Sequence, residues 1–140
     1  MRYTKTKSGF LIRCDIGDEI VSTITDFATE NNIDSGTISG IGAVKDVVLG
    51  YFDFNNKEYL QKEFDGIFEL VSLNGNFARK GDEIILHCHA VISDSEMRAY
   101  GGHLFSGIIA VTGEFYINLA GITINRAPDK ETGLNLIDLK

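Results

Sequence analysis

Between Thr37 and Ser93 the chain strings together runs rich in β-branched and aromatic residues, interrupted only by short segments that favour reversal. A chain so patterned is steered toward consecutive antiparallel strands. The strand-like runs are Gly9 to Cys14, Thr37 to Phe52, Glu58 to Phe64, Ile67 to Phe77, Glu83 to Ser93, Ile108 to Leu119 and Ile122 to Arg126. Asn55-Asn56, Asp65-Gly66, Arg79-Lys80-Gly81-Asp82 and Pro128-Asp129 are the predicted turns.

One stretch has a different period. From Gly17 to Asn32, Ile20, Val21, Ile24, Phe27 and Ala28 recur at helical spacing, with Ser22, Thr25, Asp26 and Glu30 toward water. Asp18 or Asp15 is the expected amino-terminal cap, and Asn31-Asn32 suits a left-handed exit. Each element must bury its apolar face against another, so the expected fold is α/β (α+β): a largely antiparallel mixed sheet with one principal helix packed on it.

The 140 residues suit a single domain, residues 1–140, long enough to form a core without disulfides. Hydrophobic residues make up 44% and charged residues 24%, which argues against disorder and fibrous repeats. No apolar segment of signal-peptide length follows the polar, basic start Met1 to Ser8, and no run reaches the ~18 apolar residues of a membrane helix. The expectation is a cytoplasmic protein without membrane contact. Cys14 and Cys88 suit reduced thiols, with a single bridge as the alternative. The net charge is −7 and the 13 Lys and Arg residues are scattered. That leaves no concentrated basic footprint for DNA phosphates.

The glycines of Ser35-Gly36-Thr37-Ile38-Ser39-Gly40-Ile41-Gly42-Ala43 superficially suggest a phosphate loop. The chain continues, however, into strand-like Val47-Val48-Leu49 with no Lys-Ser/Thr ending. Close approach of neighbouring backbones or subunits is the better account.

All three histidines fall in one interval, as His87 and His89 around Cys88, and His103 after Gly101-Gly102. On a strand His87 and His89 share a face, while Leu86, Cys88 and Ala90 face the other way. The polar stretch Asp94 to Arg98 reverses the chain, and the glycine pair is expected to let the backbone swing His103 toward the other two. Three neutral imidazoles suit a divalent transition metal, zinc first, with nickel, copper or iron as alternatives. Asp94 and Glu96 are nominal proton partners for a metal-bound water. The competing explanation is a polar pocket, or a subunit contact, without metal.

No serine or cysteine stands in a nucleophile motif, so no catalytic residue is assigned. Phe64, Phe68, Phe77, Phe105 and Phe115 are expected to pack in a core or interface, and Glu69 to face solvent on an alternating strand.

The chain resembles the plants-and-prokaryotes-conserved (PPC) domain, also called DUF296, of AT-hook nuclear-localised plant proteins and stand-alone prokaryotic proteins. The resemblance is carried by Asp26-Phe27-Ala28, Ser39-Gly40-Ile41-Gly42-Ala43, Gly66-Ile67-Phe68-Glu69-Leu70-Val71-Ser72-Leu73-Asn74-Gly75, the His87-x-His89 pair, Gly101-Gly102-His103-Leu104 and Glu131-Thr132-Gly133-Leu134. It implies an α/β fold, a homotrimer, and a metal-binding unit on His87, His89 and His103. In the plant proteins it also implies transcriptional regulation, with DNA contact assigned to a separate AT-hook and this domain mediating assembly and partner binding.

No Arg-Gly-Arg core is present here, and Ile67 replaces the arginine of the plant-like Gly-Arg-Phe-Glu segment. Two functions follow as expectations. The first is a trimeric, metal-containing binding or regulatory module of a family labelled DNA-binding, with a protein partner favoured over DNA itself. The alternative is a small zinc-type enzyme, hydrolytic in character.

Overall fold

The computed structural model describes residues 1–139. Along the chain run β1 (Arg2–Lys5), β2 (Gly9–Cys14), α1 (Ile20–Glu30), β3 (Gly36–Asp53), β4 (Glu58–Lys80), β5 (Glu83–Ser93), β6 (Ala99–Leu119), β7 (Asn125–Pro128) and β8 (Asn135–Asp138). The eight strands form one sheet ordered β1-β2-β6-β3-β4-β7-β8, with β5 pairing both β4 and β6. Every pairing is antiparallel except a single parallel contact of Arg79 on β4 with Asn125 on β7. The expected sheet with one helix is what the chain forms.

Three strands are far longer than the usual ~3–10 residues: β3 has 18, β4 has 23 and β6 has 21. Strands of that length must bend, and bulges supply the bends. Asp65-Gly66 therefore does not reverse the chain as the sequence suggested. Gly66 takes φ +93° within a continuous β4, opposite the register shift between Lys45 and Val47, where Asp46 itself has φ +51°. Because β3 and β5 each pair with both β4 and β6, these four strands close on one another.

The apolar stripe of α1 behaves as its period requires. Ile20, Ile24, Phe27 and Ala28 are buried, in one core with Leu73, Phe77, Cys88, Ile92, Ile109 and Phe115. Burying a side chain such as Phe27 contributes about 2–3 kcal/mol. The cap is neither Asp18 nor Asp15 but Glu19, whose carboxylate accepts from the Val21 and Ser22 N–H groups at 3.1 and 2.7 Å. It also accepts from the Gly107 N–H of β6 at 3.1 Å, tying the helix to the sheet. Asp18 instead accepts from the Asp15 N–H. The left-handed exit falls on Asn32, at φ +52°.

The glycines of β3 allow close approach, as expected. A Cβ on Gly40 would lie 2.6 Å from the Glu114 carbonyl oxygen, and one on Gly42 would collide with that of Thr112. The expected strand from Ile122 begins only at Asn125, the Ile124 carbonyl accepting from Arg79 N–H at 2.8 Å. Edge strands β1 and β8, unforeseen in the sequence, are short and largely exposed.

Candidate metal centre

The three histidines converge. His87 and His89 lie on one face of β5, and Cys88 between them is buried on the other. Burial, with Glu19 adding to it, pushes the Cys88 thiol up to about 12, and its place on the face away from the imidazoles makes it a core group. His103 arrives by strand register, a correction to the expected glycine swing. Gly101 and Gly102 are inside β6, and His103 sits directly opposite His89. It is also the residue at which β6 passes from β3, where it pairs Gly50, to β5. Gly102 serves that junction sterically, since a Cβ there would lie 2.7 Å from the Gly50 carbonyl oxygen.

The ring centroids of His87, His89 and His103 are 5.1–5.5 Å apart, and one nitrogen from each lies within 4.8 Å of the others. The nitrogens of a tetrahedral zinc site are about 3.4 Å apart, given ~2.0–2.1 Å bonds, so modest side-chain rotation closes the set. His87 and His103 are half-buried and His89 is exposed. Burial first, then Arg126 and His89, lowers the His87 pKa; burial first, then the other two imidazoles, takes His103 to about 4. Neutral rings present lone pairs, which a cation needs. His103 Nδ1 is buried and has no hydrogen-bond partner among the described residues, a deficit that a bound ion or a reoriented ring would remove. The residues fit a divalent metal.

The surroundings are aromatic and cationic. Tyr59 and Phe105 flank His103 with centroids at 5.0 and 4.8 Å. Arg126 Nη2 donates to Asn76 Oδ1 at 2.6 Å and reaches His87 Nδ1 at 3.4 Å, while Nη1 donates to the Asn135 carbonyl at 2.9 Å. Asp94 and Glu96 are not part of this site. They occupy the β5–β6 turn, beyond the Ser93–Ala99 pair, and Ser93 is itself roughly 13 Å from His89 at ~3.3 Å per residue. Asp94 is engaged there by Arg98, Tyr100 and the Glu96 backbone.

Sequence reasoning missed Arg126, Asn76, Lys80 and Tyr59. Nothing local marks them: the pairing of β4 with β5 brings Asn76 and Lys80 to the histidines, the pairing of β3 with β4 and β6 brings Tyr59, and the path of β7 brings Arg126. Beside His87 and His103, Arg126, Lys80 and Tyr59 line a cleft of about 270 Å³ with Leu86, Leu134 and Leu136.

The chain is similar to a candidate DNA-binding protein from Bacteroides thetaiotaomicron, with a TM-score of 0.95 and 32% identity over 98% of this chain and 96% of that one. It is also similar to a metal-containing protein from Archaeoglobus fulgidus, with a TM-score of 0.86 and 37% identity over 99% and 97%. A curated relative, the bifunctional protein GlmU of Synechococcus sp. (strain JA-3-3Ab), is 27% identical over 120 residues; the match spans 84% of this chain but 18% of that protein. Residues 1–120 match the family pattern of the Plants and Prokaryotes Conserved (PCC) domain, and the chain belongs to that family.

Proposed function

We propose that this chain is a one-domain, homotrimeric binding or regulatory module that holds a divalent transition metal, zinc first, on His87, His89 and His103. The observation that carries the reading is the convergence of three imidazoles, one of which, His103, has a buried Nδ1 with no partner among the described residues. The metal-containing relative from Archaeoglobus fulgidus supports it. A zinc ion held there would supply an electrophile with an open coordination position. The two aromatic rings beside His103 would shield that ligand, and Asn76 would help hold Arg126 in place.

The relative from Bacteroides thetaiotaomicron is called DNA-binding, but a net charge of −7 repels a phosphate backbone. A protein or small-molecule partner therefore suits this chain better than DNA. Buried, unbridged Cys14 and Cys88 are in keeping with a cytoplasmic setting, and no helix among the described residues is long and apolar enough to cross a membrane. The zinc-type hydrolase remains the second reading because the cleft reaches the histidines. It is the weaker one, since among the described residues no Asp or Glu lines that cleft as a proton acceptor.

Elemental analysis of tag-free protein, with cobalt(II) absorption as an independent readout, tests the metal assignment. The wild type should retain about one ion per chain, tetrahedral in its cobalt spectrum, and His103→Ala should lose most of it. Equal metal content in the two proteins would remove the assignment.

A further inference from the structure

Arg126 has a charge that nothing among the described residues neutralises. No carboxylate forms an ion pair with it or with Lys80, the other cation of the cleft. Its Nε is buried and donates to nothing among the described residues. The remaining contacts are to neutral acceptors: Asn135 O, Asn76 Oδ1 and His87 Nδ1. A partly buried cation without a counter-ion is costly.

Metal binding sharpens the deficit. A guanidinium only donates, so its contact with His87 uses the Nδ1 lone pair. If His87 ligates through Nδ1, that lone pair goes to the metal; if it ligates through Nε2, the ring proton must move to Nδ1. In both cases Arg126 loses an acceptor, and a divalent charge arrives beside it.

The walls define the rest of the ligand. Leu86, Leu134, Leu136 and the Tyr59 ring make much of the lining apolar, and about 270 Å³ is small beside the ~300–1,000 Å³ of drug-sized sites. Among the described residues, Nε–H and one Nη1–H of Arg126 are free, and giving up His87 to the metal releases one Nη2–H. That completes a fork for two carboxylate oxygens, while the apolar walls disfavour the more strongly hydrated phosphate.

We propose that the cleft between the histidines and the β7–β8 hairpin binds a small monocarboxylate with an apolar body, its carboxylate held by Arg126 with Lys80 at the rim. The carboxylate completes the charge balance of the occupied metal centre. This rests on the metal reading for its coupling to the ion, but not for the anion site itself. Linkage makes the coupling reciprocal: the carboxylate tightens metal binding by the factor by which metal tightens the carboxylate.

Calorimetric titration of the full chain with butyrate, butyramide and inorganic phosphate, metal-free and zinc-loaded, tests the proposal. Butyrate should bind both forms and bind the zinc-loaded form about tenfold more tightly, with butyramide and phosphate weaker in each; Arg126→Gln should weaken butyrate about tenfold or more at unchanged zinc content. Lys80→Gln, an exposed change that leaves the fold intact, should weaken it several-fold and serves if Arg126→Gln does not fold.

Absence of butyrate binding to zinc-loaded wild type, equal binding of butyramide, tighter binding of phosphate, or wild-type affinity in Arg126→Gln or Lys80→Gln would each overturn the assignment. Should the protein take up no zinc, the metal reading fails by itself. Arg126-dependent binding of butyrate to the metal-free chain would then still uphold the anion site, and its absence would overturn it.

Discussion

His103 is half-buried between two aromatic rings and two other imidazoles, and its pKa of about 4 follows from that position. The folded ring stays neutral while the unfolded chain takes up a proton near the ordinary value of 6.5. Stability present above pH 6.5 is therefore lost as the pH falls toward 4, where the folded ring also protonates. Urea denaturation of metal-free protein should show a larger stability loss between pH 7 and pH 4.5 for wild type than for His103→Gln. Identical pH profiles would mean that the ring is solvated in the folded state. That His87 and His89 share a face was legible in the sequence, because alternation along a strand is local. That Arg126 touches His87, 39 residues away, was not.

Glu19 shows how one side chain can couple two elements. It closes the first turn of α1 and accepts the buried Gly107 N–H of β6. Asp15 and Asp18 looked like better caps by residue type, yet the bridge between Glu19 and Ile108 places Glu19 at the junction. Glu19→Ala should cost about 2 kcal/mol, at the upper end for a lost cap because a buried N–H is orphaned as well. Equilibrium urea unfolding measures this, and a loss below about 0.5 kcal/mol would deny the dual role. The Asp65-Gly66 bulge teaches a related lesson. A dipeptide that accepts positive φ can end a strand or bend one, and only the pairing of β4 with β3 on both sides of it selects the bend.

The whole molecule presents an apolar region on the outside of its sheet. Ile41, Val71 and Val111, at 58%, 51% and 60% exposure, gather around a shallow depression across β3, β4 and β6. Thr112 Oγ1 lies there without a partner among the described residues. A contiguous apolar surface of this kind favours association, and the proposed homotrimer gives it an occupant. Val111→Lys should shift the protein from trimer to monomer in sedimentation velocity while leaving its far-UV circular dichroism unchanged. A trimer that persists in the variant would place the subunit contact elsewhere.

The sequence alone determined the strand-rich architecture, the single amphipathic helix, the core placement of Cys88, and two imidazoles on one side of a strand. All of these depend on periods of two or 3.6 residues, which are written locally. Tertiary structure decided which strands meet. It put His103 opposite His89 at the residue where β6 changes partner, moved Asp94 and Glu96 out of reach, and set Arg126 against His87. Contacts of that kind close long loops and are selected by the packing of the whole sheet, so no short stretch of sequence encodes them.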